Sequence, residues 1–160
     1  MDDAAVHAFN HWARGSPVLA SSVGYLAERL AGVEVVLMLL LGLSGRRGSA
    51  LRMLAAVGAV YVASEVLGQV WPRARPFERL EDVTPLAAHS RGRSFPSRHV
   101  ASGLAMAAIG GQEHPRLGWL MAAVAWLLGI SRVAAGLHYP TDVAAGAALG
   151  GLVGHALRKR

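Results

Sequence analysis

Long apolar stretches separated by short polar loops dominate the chain. The first covers residues 18–43, strongest over 33–43, and ends at the polar loop Ser44-Gly45-Arg46-Arg47-Gly48-Ser49. A second covers 51–71 and stops at Pro72, because proline lacks an amide donor and breaks helices. Residues 72–97 form a polar loop. The third stretch, 97–111, is short: at 1.5 Å per residue it covers roughly 22 Å, less than the ~30 Å hydrocarbon core of a bilayer. Either it starts below the headgroup surface or it lies tucked inside a bundle. After a turn at 112–116, a fourth stretch covers 117–137 and is interrupted by Tyr139-Pro140. A fifth covers 141–157 and ends in Arg158-Lys159-Arg160. Ahead of all five, residues 2–14 read as an amphipathic helix with Val6, Phe9 and Trp12 on one side, lying in the interface. The pattern predicts an all-α integral membrane helical bundle of about five transmembrane helices plus this N-terminal interfacial helix.

Composition agrees with the pattern. The 160 residues, one domain by length, are 53% hydrophobic and 16% charged, more apolar than a soluble core of this size can bury. Small residues, including 19 glycines, suit close packing of membrane helices. The net charge of +6 comes from arginine, since Lys159 is the only lysine, and arginine suits bidentate binding of phosphate. No polar domain exists to present a nucleic-acid surface, so the expected partners are the lipid bilayer and anionic lipid. Cysteine is absent, which excludes disulfides and thiolate metal sites. The acidic start Met1-Asp2-Asp3 lacks the basic residues of a signal peptide.

The basic residues of the loops and ends, Lys159 included, divide equally between the two faces of a five-span bundle, so the positive-inside rule does not set orientation by count. With Arg75, Arg98 and Arg132 reserved for substrate, the remainder places the C-terminus in the cytoplasm and the polar clusters outward. The expected location is a bacterial cytoplasmic membrane.

Three polar clusters interrupt the apolar pattern: Pro72-Arg73-Ala74-Arg75-Pro76, Ser94-Phe95-Pro96-Ser97-Arg98-His99, and Ser131-Arg132 with His138 and Asp142. Five spans bring all three to one face of the membrane. Ionisable groups at membrane depth are expensive and mark chemistry or substrate. A neutral imidazole such as His138 can attack phosphorus and carry the phosphoryl group. Asp142, four residues on, can hold the other ring nitrogen if helix begins there. His99 can protonate the leaving oxygen. Ser97 and the free amides at the start of the third span can bind an anion. Arg75 and Arg132 can hold the equatorial oxygens, where charge stabilisation does most of the work of phosphoryl transfer. Nothing in this set calls for a metal or cofactor.

These motifs resemble the type 2 phosphatidic acid phosphatase superfamily, which includes lipid phosphate phosphatases and bacterial undecaprenyl diphosphate phosphatases. Its pattern is Lys-x6-Arg-Pro, then Pro-Ser-Gly-His, then Ser-Arg-x5-His-x3-Asp. Arg75-Pro76, Pro96-Ser97-Arg98-His99 and Ser131-Arg132…His138…Asp142 match in order, over a motif region of 68–142. The resemblance implies metal-independent hydrolysis of a lipid phosphate or diphosphate through a phosphohistidine, with a polyprenyl diphosphate favoured and phosphatidic acid or phosphatidylglycerol phosphate next. It assigns His138, His99 and Asp142 to catalysis and Arg75, Ser97, Arg98 and Arg132 to phosphate. The chain departs from the pattern twice: the lysine falls at Gly68 and the glycine is Arg98. The two departures are expected to be linked, Arg98 supplying the cation that Gly68 lacks. The alternative is a catalytically silent phospholipid-binding or transport protein that keeps the fold.

Other residues carry blander readings. Arg73 stands between phosphate binding and a solvated interfacial arginine, and Arg91 and Arg93 read as a solvated loop face. His7 and His11 read as surface residues, and His89, His114 and His155 carry no signal. Glu65, within the second span, is expected to pair with an active-site arginine or to bridge helices; Glu34 lies at the vague edge of the first span. Gly146, Gly150 and Gly154 form a packing stripe, either within the bundle or between subunits. Trp71 and Trp119 sit where interfacial anchors do.

Overall fold

The computed structural model describes residues 1–89 and 91–159; Arg160, one of the basic residues at the C-terminal end, lies outside them. The described residues form seven helices and no strand: α1 (Asp2–Ala13), α2 (Pro17–Leu43), α3 (Arg47–Val70), α4 (Pro76–Arg79), α5 (Arg98–Glu113), α6 (Pro115–Ala134) and α7 (Pro140–Ala156). Proline stands in the first turn of α2, α4, α6 and α7, where its missing N–H has no helical partner to lose. Ser16 caps α2 by accepting the Leu19 amide at 3.1 Å. Gly45, at φ +92°, turns the chain from α2 into α3.

The shortest apolar stretch proves central. α5 packs against α6, α7, α3 and α2, and it is buried along its length from Val100 to Gly110. Its 16 residues, about 24 Å, answer to neighbours rather than to bilayer thickness. α3 and α6 are long and apolar enough to cross a bilayer by length and composition. α2 is longer still but contains Glu28, Arg29 and Glu34. α7, at 17 residues, is shorter than the ~20 that a straight span requires. The outer faces of the long helices remain apolar, with Val36, Leu40, Leu54, Val62, Trp126 and Ile130 all exposed. Such a continuous apolar surface suits hydrocarbon rather than water.

The glycine stripe packs α7 onto α5 within the chain. A Cβ at Gly146 would lie 2.5 Å from the Ser97 carbonyl oxygen, one at Gly150 2.3 Å from that of Ala101, and one at Gly154 2.9 Å from that of Ala105. The question left open by the sequence, intramolecular or intersubunit packing, is answered for these three residues.

α1 departs from its expected orientation. Val6, Asn10 and Ala13 are its buried residues, set one helical turn apart, whereas Phe9 and Trp12 point outward at 44% and 57% exposure. A polar residue decides the face. The Asn10 side chain donates to the carbonyls of Thr84 (3.0 Å) and Ala134 (2.9 Å) and accepts the Thr84 amide (3.2 Å), tying α1 to the polar loop and to the end of α6.

At the opposite end, Glu113 accepts from Arg46 (3.0 Å) and Ser49, which fixes the far end of α5 to the start of α3. The α5–α7 contact makes a sharp prediction. Gly150→Ala should lower stability in detergent by about 1–3 kcal/mol, the usual cost of overpacking. Gly151→Ala, where a Cβ meets nothing within 4 Å, should leave the thermal midpoint unchanged or raise it, since alanine favours helix over glycine.

Candidate active site

The site forms where α6 hands over to α7. After α6 ends at Ala134, Gly136 adopts φ +73°, and Leu137, His138 and Tyr139 cross to Pro140. A side chain at Gly136 would be strained at that φ and would meet Val83 at 2.6 Å. The turn directs His138 inward, at 3% exposure.

Asp142, in the first turn of α7, is fully buried and heavily used. Its Oδ2 accepts the Tyr139 amide at 2.8 Å, and its Oδ1 accepts from Arg73 Nη1 at 2.9 Å. His138 Nδ1 stands 3.7 Å from Oδ2, close enough for charge to act but beyond hydrogen-bond length. The Asp142 backbone carbonyl accepts the Ser97 amide at 3.0 Å, joining the second motif to the third. That amide is therefore committed, and only the side chain and later amides at the start of α5 remain for an anion. Ser97 Oγ is buried with no hydrogen-bond partner among the described residues.

Arg75 enters from the first motif. It is buried, and its guanidinium donates to the carbonyls of Leu137 (2.9 Å) and Arg93 (3.2 Å). Arg132, on the last turn of α6, places Nη2 3.4 Å from His99 Nε2 and Nη1 3.5 Å from His89 Nε2. Arg98 lies further along the cavity, its guanidinium carbon 4.7 Å from the centre of the Tyr61 ring. Tyr61 is seven residues from Gly68, about 10 Å along α3. The arginine against Gly68 is Arg93: a Cβ there would lie 3.2 Å from its Nε.

These groups head a cavity of about 530 Å³. Arg75, Arg93, Arg98, His89, His99 and His138 line its polar end. Below them it continues as a slot between α2, α3 and α5, lined by Val35, Met38, Leu54, Val57 and Met106. His99, Gly103 and Met106 mark one face of α5, so the apolar part runs about 10 Å below the histidine. Glu34 also lines the slot, buried and without a hydrogen-bond partner among the described residues. Among those residues no group of three or more histidines and carboxylates is placed to hold a metal.

Six of the seven residues singled out from sequence therefore meet around one spot, and Arg98 joins them along the cavity wall. Three further residues of the polar loop lie beside them. Arg73 bridges Asp142 to Asp2, which it meets at 2.8 Å, and stacks 3.7 Å above the Tyr139 ring. His89 touches Arg132, and Arg93 pairs with Glu65. Arg73 had a usable signal, its spacing two residues before the motif arginine; His89 and Arg93 had none beyond lying in the same loop.

Burial holds the His138 imidazole down at about 4, with Asp142 partly opposing and the positive charges of Arg75 and Arg132 reinforcing the shift. The ring is thus neutral at neutral pH, as an attacking base must be.

Residues 49–159 match the family model of the PAP2 superfamily. The chain is 38% identical over 94 residues to the bacitracin transport permease protein BcrC of Bacillus licheniformis, a match covering 56% of this chain but only 46% of that protein. It is 29% identical over 143 residues to undecaprenyl-diphosphatase BcrC of Bacillus subtilis (strain 168), covering 87% and 72% of the two chains. Among solved structures, LpxE of Aquifex aeolicus superposes with a TM-score of 0.78 at 26% identity, over 94% of this chain and 92% of the other. A transmembrane PAP2-type phosphatidylglycerolphosphate phosphatase from Bacillus subtilis gives 0.75 at 25% identity, over 98% and 82%.

An NMR titration of the His138 ring in detergent should find it uncharged down to about pH 4. The unfolded chain takes up that proton near 6.5, so this group makes the protein lose stability as pH falls from 6.5 to about 4. A ring that titrates near 6.5 in the folded protein would contradict the burial argument.

Proposed function

Because the chain belongs to the PAP2 superfamily, we propose that it hydrolyses a membrane lipid phosphate or diphosphate without a metal, through a phosphohistidine on His138. A polyprenyl diphosphate is the favoured substrate, with phosphatidic acid or phosphatidylglycerol phosphate next. One observation carries the reading: a cavity with arginines and three histidines at one end and an apolar slot at the other. That shape suits a molecule whose phosphate sits among arginines while its tail stays in hydrocarbon. The relatives named undecaprenyl-diphosphatase and phosphatidylglycerolphosphate phosphatase support the same substrate classes.

The chemistry follows from placement. His138 Nδ1 faces Asp142, which leaves Nε2 to attack phosphorus. The N–P bond forms as the P–O bond to the lipid breaks, and His99 gives the departing oxygen its proton. Arg75, Arg98 and Arg132 oppose the charge on the phosphoryl oxygens, with Ser97 as a further donor. The Asp142 carboxylate stabilises the imidazolium. Water, deprotonated by His99, then attacks the phosphohistidine and releases inorganic phosphate and free His138. A diphosphate leaves as the lipid monophosphate, a monoester as the lipid alcohol.

We further propose that α2, α3, α5, α6 and α7 are the five spans of a bundle in a bacterial cytoplasmic membrane, with α1 in the interface and the site facing outward. The exposed Phe9 and Trp12 and the apolar outer faces of the long helices support this placement. A second reading, a silent phospholipid-binding or transport protein, draws on one observation: the lysine of the family pattern is Gly68 here.

Purified protein in detergent with EDTA should release phosphate from undecaprenyl diphosphate or phosphatidic acid. His138→Ala should reduce that release at least about 10³-fold, as removal of a nucleophile does. Release that persists in the variant would exclude the mechanism, and folded protein with no release from either lipid would favour the binder.

A further inference from the structure

We propose that Arg93 is a phosphate ligand of this site, its side chain laid across Gly68 and serving where the family pattern has lysine. The inference rests on reading the cavity as a phosphate site, and four observations converge on it.

The Arg93 backbone is pinned to the first motif. It forms an isolated antiparallel bridge with Ala74, its carbonyl accepts from Arg75 at 3.2 Å, and the next amide, of Ser94, donates to the Arg73 carbonyl at 2.8 Å. Its side chain then runs over α3 at Gly68, where α3 has no side chain. A Cβ at Gly68 would stand 3.2 Å from Arg93 Nε and 3.4 Å from its Cδ. A Cβ at 68 would press on the arginine stem, which would have to give by a few tenths of an ångström. Beyond the crossing, Nη2 is tied to Glu65 on α3, one turn before Gly68. Finally, Arg93 lines the same cavity as Arg75, His99 and His138.

A guanidinium carries five N–H donors, so the bond to Glu65 leaves donors for a phosphate oxygen. Arg75, by contrast, spends two donors on carbonyls, which raises the need for another cation at this end. The ligand implied is a phosphate dianion or the terminal phosphate of a diphosphate.

The test is calorimetric titration of inorganic phosphate into the purified protein in detergent, which reads the ligand without requiring turnover. Arg93→Ala should weaken phosphate binding about tenfold, the loss of one charge-assisted contact. Adding Gly68→Lys in that background should recover most of the loss, because the stem that would obstruct the lysine is gone. The lysine Cβ would stand 3.0 Å from the Phe95 carbonyl oxygen, so the loop has to give by a few tenths of an ångström to admit it. Phosphate affinity in Arg93→Ala within twofold of the wild type would overturn the proposal, as would a wild type with no measurable affinity. A loss that Gly68→Lys fails to recover, accompanied by a lower thermal midpoint, would assign Arg93 to holding the loop and would also overturn it. Arg93-dependent phosphate binding in a protein that hydrolyses no lipid would uphold this inference while counting against the hydrolase reading.

Discussion

The Asp142 carboxylate has no contact with water, and the rest of the site is arranged around that fact. A buried carboxylate left without partners costs several kcal/mol, so its oxygens must be met by donors. The Tyr139 amide meets one oxygen and Arg73 the other. Arg73 in turn meets Asp2, which also accepts from Thr141, so the first turn of α1 closes over the first turn of α7. The Asp142 backbone carbonyl receives the Ser97 amide and fixes the start of α5. One residue thus ties together the polar loop, α1, α5 and α7, and it does so beside His138. Its charge can act on the imidazole because it cannot move away.

The α5–α7 contact serves the same arrangement. Gly146, Gly150 and Gly154 let α7 approach the backbone of α5 closely enough for Ser97 to reach Asp142. A wider spacing would separate the second and third motifs. α5 then carries His99 at the top of the cavity and Met106 below it, so one short helix presents both a polar-end histidine and part of the apolar slot. Packing and chemistry therefore share a single interface.

The helices and the core of the site were legible in the sequence because both depend on local spacing. Apolar runs bounded by Pro72 and Tyr139-Pro140 placed the elements to within a few residues, and the four-residue step from His138 to Asp142 placed one beside the other. What escaped was long-range and polar. His89 and Arg93 carry no signal in the sequence beyond lying in the polar loop, Arg73 stands there between two readings, and the contacts of all three arise only when the loop folds over α3, α6 and α7. The expected exchange between Arg98 and Gly68 rested on motif positions, whereas the side chain that crosses Gly68 comes from five residues earlier. In α1, hydrophobicity pointed to Phe9 and Trp12, yet Asn10 faces the protein because the amide and carbonyls at Thr84 and Ala134 need partners.

If His138 carries the phosphoryl group as a phosphohistidine, covalent capture detects it most directly. Protein incubated briefly with a lipid diphosphate labelled in its terminal phosphate, then quenched in alkaline detergent, should carry label on His138 that survives alkali and is released by acid. Phosphate release with no label on any histidine, or with label on another residue, would contradict the account.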